Sequence, residues 1–297
     1  MIWGVLAYLM WGFFPAFFPL LRPAEPVEIL AHRFVWTLVF VAVILLFTSG
    51  FRWMRTIPAR LWLRIAAAAV LIAGNWGLYI YAVNSDHVAD AALGYFINPL
   101  VSVVLGVLVL RERLRMLQWV SVAIAGVAVV ILTVALGSPP VVSLGLALSF
   151  AGYGLLKKRV PLTPLQSLTA ETAVLAPVGV LFLAWLQTQG MNTMLQGGHG
   201  VGHVLLLITA GAVTALPLLC FARAAHELSL TSLGMLQYLT PVMQMLWAVF
   251  YVGEDIEPAR WVGFAVIWVA LIVFVTDMLL NSRRTNKMRK LENDGAQ

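Results

Sequence analysis

Two ionisable side chains, Arg33 and Glu171, fall inside stretches that are otherwise apolar. A charge at the bilayer centre costs about 2.5–3.5 kcal/mol on insertion scales, so such groups mark functional positions by default. A buried guanidinium can grip a carboxylate or other planar oxyanion through two parallel N–H bonds. Arg33 has two competing roles: an anchor that snorkels to the interface, or a partner for Glu28 on the same helix. Glu171 has its own alternative, a hydrogen bond to a neighbouring helix. His32, beside Arg33, could carry a proton near neutral pH, although ordinary packing is its simpler role.

Around these charges, residue counting along the apolar stretches puts Trp11, Asn98 and Tyr238 near mid-depth, with Asn75 somewhat nearer the outside. Asn98 and Tyr238 stand next to Pro99 and close to Pro241, and a proline frees a carbonyl one turn earlier in its helix. Gln237, Trp76 and Tyr79 lie alongside in sequence. An amide and a phenol beside loosened helices, with aromatic neighbours, suit a hydrogen-bonding midplane pocket for flat amphipathic solutes. Packing and interfacial belts explain most of the 11 tryptophans, Trp53, Trp62 and Trp261 among them.

What must position these residues follows from composition. The 297 residues are 61% hydrophobic and only 11% charged, with a mean hydropathy of +0.91. An ordinary soluble domain carries about a quarter charged residues. So few charges cannot solvate a surface of this size, and the solvent must be mostly lipid. The single cysteine, Cys220, excludes an intramolecular disulfide and a cysteine metal cluster. There is no GxxxxGK[ST] phosphate loop, no HExxH and no GxSxG. The sequence therefore calls for no cofactor, no metal and no ATP. The N-terminus lacks a basic n-region and a clear cleavage site, and is expected to be a retained first helix.

A helix needs about 20 mainly apolar residues to cross a bilayer. Ten stretches qualify: 1–21, 28–48, 62–84, 89–110, 117–136, 141–156, 165–186, 203–221, 230–252 and 259–280. Cytoplasmic loops retain Lys and Arg. With the N-terminus inside, 16 of the 19 basic residues collect on the cytoplasmic side, Lys157 and Lys158 among them. Arg22 and Arg260 lie outside and Arg33 within a span. Both termini are thus expected in the cytoplasm of a bacterial inner-membrane protein. The +6 net charge needs no nucleic-acid partner. The basic tail over 282–297 is expected to be disordered and to meet anionic lipid head groups.

The fourth and ninth stretches can be laid over one another. PLVSVVLGVLVLRERL (99–114) matches PVMQMLWAVFYVGEDI (241–256) in apolar pattern, with Pro99 over Pro241 and Glu112 over Glu254. This predicts an all-α membrane protein of ten transmembrane helices in two five-helix repeats, 1–140 and 141–281. Five is odd, so the repeats must lie upside down relative to each other. That arrangement, with prolines at matching positions, is the sequence signature of secondary transporters. Arg33 and Glu171 fall at nearly matching repeat positions. At 1.5 Å per residue they lie on the order of 13 Å apart along the membrane normal, marginal for a direct ion pair.

EILAHRFVW (28–36), NWGLYIYAVN (75–84), ALGYFINPL (92–100) and LGMLQYLTPVMQ (233–244) resemble the RarD subgroup of the EamA-type drug/metabolite transporters. RERL at 111–114 departs from that pattern, which would place a glycine before the glutamate. The resemblance implies a ten-helix inverted-repeat exporter of small metabolites or drugs, in a group associated with chloramphenicol sensitivity. Either proton exchange or the substrate gradient alone would supply the energy. Two other classes remain at this point. An intramembrane enzyme on lipid-linked substrates would need a nucleophile–base pair or metal ligands at one depth, and no convincing set is visible. A structural or signalling membrane protein would not need the repeat.

Overall fold

The computed structural model describes residues 1–84, 88–136, 141–196, 198, 200–253 and 258–294. No strand occurs among them, and ten stretches are long and apolar enough to cross a membrane. The first span, Ile2–Leu21, joins α1 (Ile2–Gly12), α2 (Phe14–Phe17) and a 3-10 turn over Phe18–Leu21. The second to fifth spans are supplied by α3 (Pro26–Phe47), α4 (Ala59–Asn84), α5 (Val88–Leu110) and α6 (Met116–Leu136). The sixth to eighth follow as α7 (Val141–Lys158), α8 (Pro164–Thr188) and α9 (Gly200–Glu227). The ninth combines α10 (Leu230–Leu236), α11 (Leu239–Trp247) and a π-helical turn over Ala248–Val252, and α12 (Pro258–Asp294) is the tenth.

The expected spans are recovered with one departure at the C-terminus. α12 runs past its apolar stretch to Asp294, so the basic segment expected to be disordered is helical as far as that residue. Its Arg, Lys, Met, Leu and Glu are good helix formers with no proline or glycine to stop them. Glu254, which underlay part of the repeat alignment, lies outside the described residues.

Local chemistry sets the helix starts. Thr163 opens α8 with a capping box: its hydroxyl accepts the Gln166 N–H at 3.3 Å, and the Gln166 side-chain oxygen accepts the Thr163 N–H at 3.2 Å. Prolines occupy the first turn of both α3 and α8, where no backbone donor is missed. The break between α10 and α11 has an equally specific cause. Pro241 has no N–H to give the Gln237 carbonyl, which accepts from Thr240 at 3.0 Å instead. The Gln237–Tyr238 pair is left as a turn inside the ninth span.

Packing follows one rule. The third span packs on the sixth as the eighth does on the first (α4·α7 and α9·α1). The fourth packs on the sixth as the ninth does on the first (α5·α7, with α1 against α10 and α11). The second packs on the eighth as the seventh does on the third (α3·α9 and α8·α4). The remaining large interfaces join a span to the one five places later: α3·α8, α5·α10 and α6·α12. The backbones of α3 and α9 approach closely: a Cβ on Gly211 would sit 2.5 Å from the Trp36 carbonyl oxygen. Thr37 Oγ1 donates to the Gly211 carbonyl across that contact at 3.2 Å.

Candidate substrate site

A cavity opens at the meeting of the second, third, sixth, seventh and eighth spans. Arg33 and Thr37 come from α3, Trp76 from α4, Tyr153 from α7, Glu171 from α8 and Thr214 from α9. Its apolar walls include Phe34, Ile72, Leu168, Leu175 and Leu218. It is narrow, with room for about one water molecule. Arg33 and Glu171 stand the same number of residues after Pro26 and Pro164, the prolines that open their helices. That shared position carries both into the seam between α3 and α8.

Arg33 is 8% exposed. Its Nε donates to Thr214 Oγ1 at 2.9 Å, and its guanidinium carbon lies 3.9 Å from the centre of the Trp76 ring. Phe18 and Phe14 flank it at 5.3 and 5.8 Å. Trp76 is itself stacked on Phe34, with centroids 6.0 Å apart and planes 18° from parallel. No carboxylate among the described residues pairs with Arg33. Glu28, a sequence-level candidate, instead accepts the Thr193 N–H at 2.8 Å and the Thr193 hydroxyl at 3.1 Å, with His32 Nε2 at 3.8 Å.

Glu171 is neutralised by a residue that sequence reasoning put in a cytoplasmic loop. Lys157 is the last-turn residue of α7 but only 1% exposed. Its ammonium lies 2.6 Å from Glu171 Oε1 and donates to Ser167 Oγ at 2.9 Å. Ser167 Oγ donates to Oε1 at 3.0 Å and the Tyr153 hydroxyl to Oε2 at 3.2 Å. The carboxylate therefore has three polar contacts, one to each of Lys157, Ser167 and Tyr153, as a buried ion pair requires. Arg33 and Glu171, whose depths made a direct ion pair marginal, do not pair with each other.

The anticipated midplane set divides. Arg33, Trp76 and Glu171 line the cavity, whereas Trp11, Asn75, Tyr79, Asn98, Gln237 and Tyr238 do not. Asn75 Nδ2 donates to the Leu146 carbonyl at 2.9 Å and to Ser149 Oγ at 3.0 Å, fastening α4 to α7. The Tyr238 hydroxyl donates to the Phe96 carbonyl at 3.1 Å, joining the ninth span to the fourth. Asn98 is buried in the same seam and accepts from Ser102 Oγ at 3.5 Å. Gln237 Oε1 is buried at the break in the ninth span, with no hydrogen-bond partner among the described residues. Trp11 packs edge-on to Phe150 at 5.8 Å, and Tyr79 is 40% exposed beside Tyr95. The cavity residues missed from sequence, Thr37, Tyr153, Thr172 and Thr214, are small hydroxyls or an aromatic in apolar helices, types too common there to stand out.

The profile of the EamA-like transporter family matches the chain twice, over residues 1–134 and 140–276. The chain belongs to that family. Within it, two nearly full-length relatives carry the name RarD. Protein RarD of Streptomyces exfoliatus is 49% identical over 288 residues, 96% of this chain and 90% of that protein. Protein RarD of Escherichia coli K12 is 41% identical over 287 residues, 96% of each. A crystal structure of a protein 17% identical superposes with a TM-score of 0.70, covering 92% of this chain and 96% of that one, which shows a shared fold. This EamA-family chain is thus a multi-pass membrane transporter.

Proposed function

We propose that the protein is a secondary transporter of the inner membrane that exports small metabolites or drugs by alternating access around the Arg33 cavity. The observation that carries this is the cavity's place: it lies where α3 and α8, corresponding spans of the two family-profile matches, meet. The packing partners exchange consistently when each span is replaced by the one five places away. Each match covers five spans. An odd number of crossings turns the second copy over, so the proposed relation is an inverted repeat with its two-fold axis in the membrane plane. Rocking one half against the other would then expose the cavity to each side in turn.

With both termini in the cytoplasm, residues 111–115 and the α9–α10 turn lie at the cytoplasmic end. Export is the direction that the family resemblance favours, and proton exchange or the solute gradient would drive it. The test is counterflow in proteoliposomes with labelled amino acids, amphenicols and organic anions. At least one solute is expected to exchange faster than in protein-free liposomes. Exchange of none would remove this function.

A further inference from the structure

We propose that Arg33 is the anion-binding residue of this cavity, and that the transported solute carries a carboxylate or similar planar oxyanion on an apolar or aromatic body. The inference rests on the cavity being the transport path and adds the class of its solute. A guanidinium has five N–H donors in a planar fork. In Arg33 only the Nε donor finds a protein acceptor among the described residues, Thr214 Oγ1. The two terminal nitrogens, which carry the remaining four donors, have none. Yet the residue is 8% exposed and walled by aromatic rings. A buried charge is held in a fold when it is paired and hydrogen-bonded, and Arg33 is neither at its terminal edge.

Three features make that edge a receptor rather than an anchor. Thr214 and Trp76 fix the plane of the guanidinium, so its terminal fork is oriented in advance. Both nearby carboxylates are occupied, Glu28 by Thr193 and His32 and Glu171 by Lys157, Ser167 and Tyr153. Because Lys157 cancels Glu171, Arg33 sets the net charge along the cavity wall. Leu168, Leu175 and Leu218, which also line the cavity, offer apolar surface to the body of the solute. Trp76 stacked on Phe34 extends a flat aromatic face beside the fork.

The experiment pairs carboxylates with their neutral amides: benzoate, phenylacetate and indole-3-acetate against benzamide, phenylacetamide and indole-3-acetamide. Binding is read by thermal shift of the purified protein and transport by counterflow. The carboxylates are expected to stabilise the wild type and to compete for counterflow, and the amides to do neither. Arg33→Gln should weaken carboxylate binding roughly thirtyfold or more, as loss of a buried charged partner does. Arg33→Lys should keep part of it, because an ammonium lacks the fork. Thr214→Val, which frees the guanidinium plane while keeping the charge, should weaken carboxylates several-fold and serves if Arg33→Gln does not fold. Equal effects of acid and amide, or carboxylate binding unchanged in Arg33→Gln or in Thr214→Val, would overturn the proposal while leaving transport itself intact. Arg33-dependent carboxylate binding without counterflow of any solute would instead uphold the site and remove the transport function.

Discussion

Replacing Glu171 with glutamine is expected to destabilise the folded protein by about 3–5 kcal/mol, because it strands the Lys157 charge in the bundle. Lys157 and Glu171 are 1% and 2% exposed on their side chains and lie 2.6 Å apart. After the substitution, Lys157 keeps Ser167 Oγ at 2.9 Å but has no counter-charge. Lys157→Met should be comparably harmful, since the carboxylate would then rely on Ser167 and Tyr153 alone. The double variant Lys157→Met with Glu171→Gln should recover most of the loss, because it removes both charges together. Melting temperatures of the four proteins in one detergent make the cycle. Additive losses in the double variant would mean that the two groups are not paired.

Glu112→Ala is expected to loosen the ninth span by about 1–3 kcal/mol, the range for stranding donors that a charged acceptor had satisfied. The carboxylate accepts the N–H groups of Leu230 at 2.6 Å and Thr231 at 3.0 Å, the first two donors of α10. Ser229 Oγ accepts the next, from Ser232, at 3.0 Å. At the other side of the same turn, Lys158 Nζ donates to the Ala225 carbonyl at 3.1 Å and also to the Leu228 carbonyl. An anion thus meets the amide end of α10 and a cation the carbonyl end of α9, each complementing the helix dipole. Glu112 comes from the connection between α5 and α6 and Lys158 from the end of α7, so the turn is held by two other parts of the chain. Hydrogen exchange over 229–232 should rise in Glu112→Ala and less in Glu112→Gln, whose amide oxygen still accepts. Unchanged exchange in both would show that Glu112 does not hold the turn.

The ten spans were legible because apolar length and loop charge are properties of composition, which the chain displays without reference to packing. Arg33 and Glu171 were legible for the same reason: a charge inside an apolar run is visible in one dimension. Depth along a helix is also readable, but the face is not. Asn75 and Trp76 share a depth yet point about 100° apart on the same helix. Trp76 reaches the cavity while Asn75 binds α7. Lys157 was misplaced because Lys158 and Arg159 follow it and make the group resemble a loop. The available signal was helical spacing, since Tyr153 lies one turn before Lys157 and both meet Glu171. Pro241 announced a weakened ninth span, and the structure turned that weakness into a break at Gln237.

The cysteine count makes a direct test of alternating access feasible without knowing the solute. Cys220 is the single cysteine of the chain, so Cys220→Ala gives a background in which one introduced thiol reports alone. Thr172 lines the cavity and is small enough for Thr172→Cys to fit. A membrane-impermeant thiol reagent is applied to the outside of intact cells and, separately, to the cytoplasmic face of inverted vesicles. A cavity that opens to each side in turn predicts labelling from both sides, with saturation from one side removing the sites available to the other. Labelling from one side only, or from neither while a control cysteine on the same side reacts, would contradict the account.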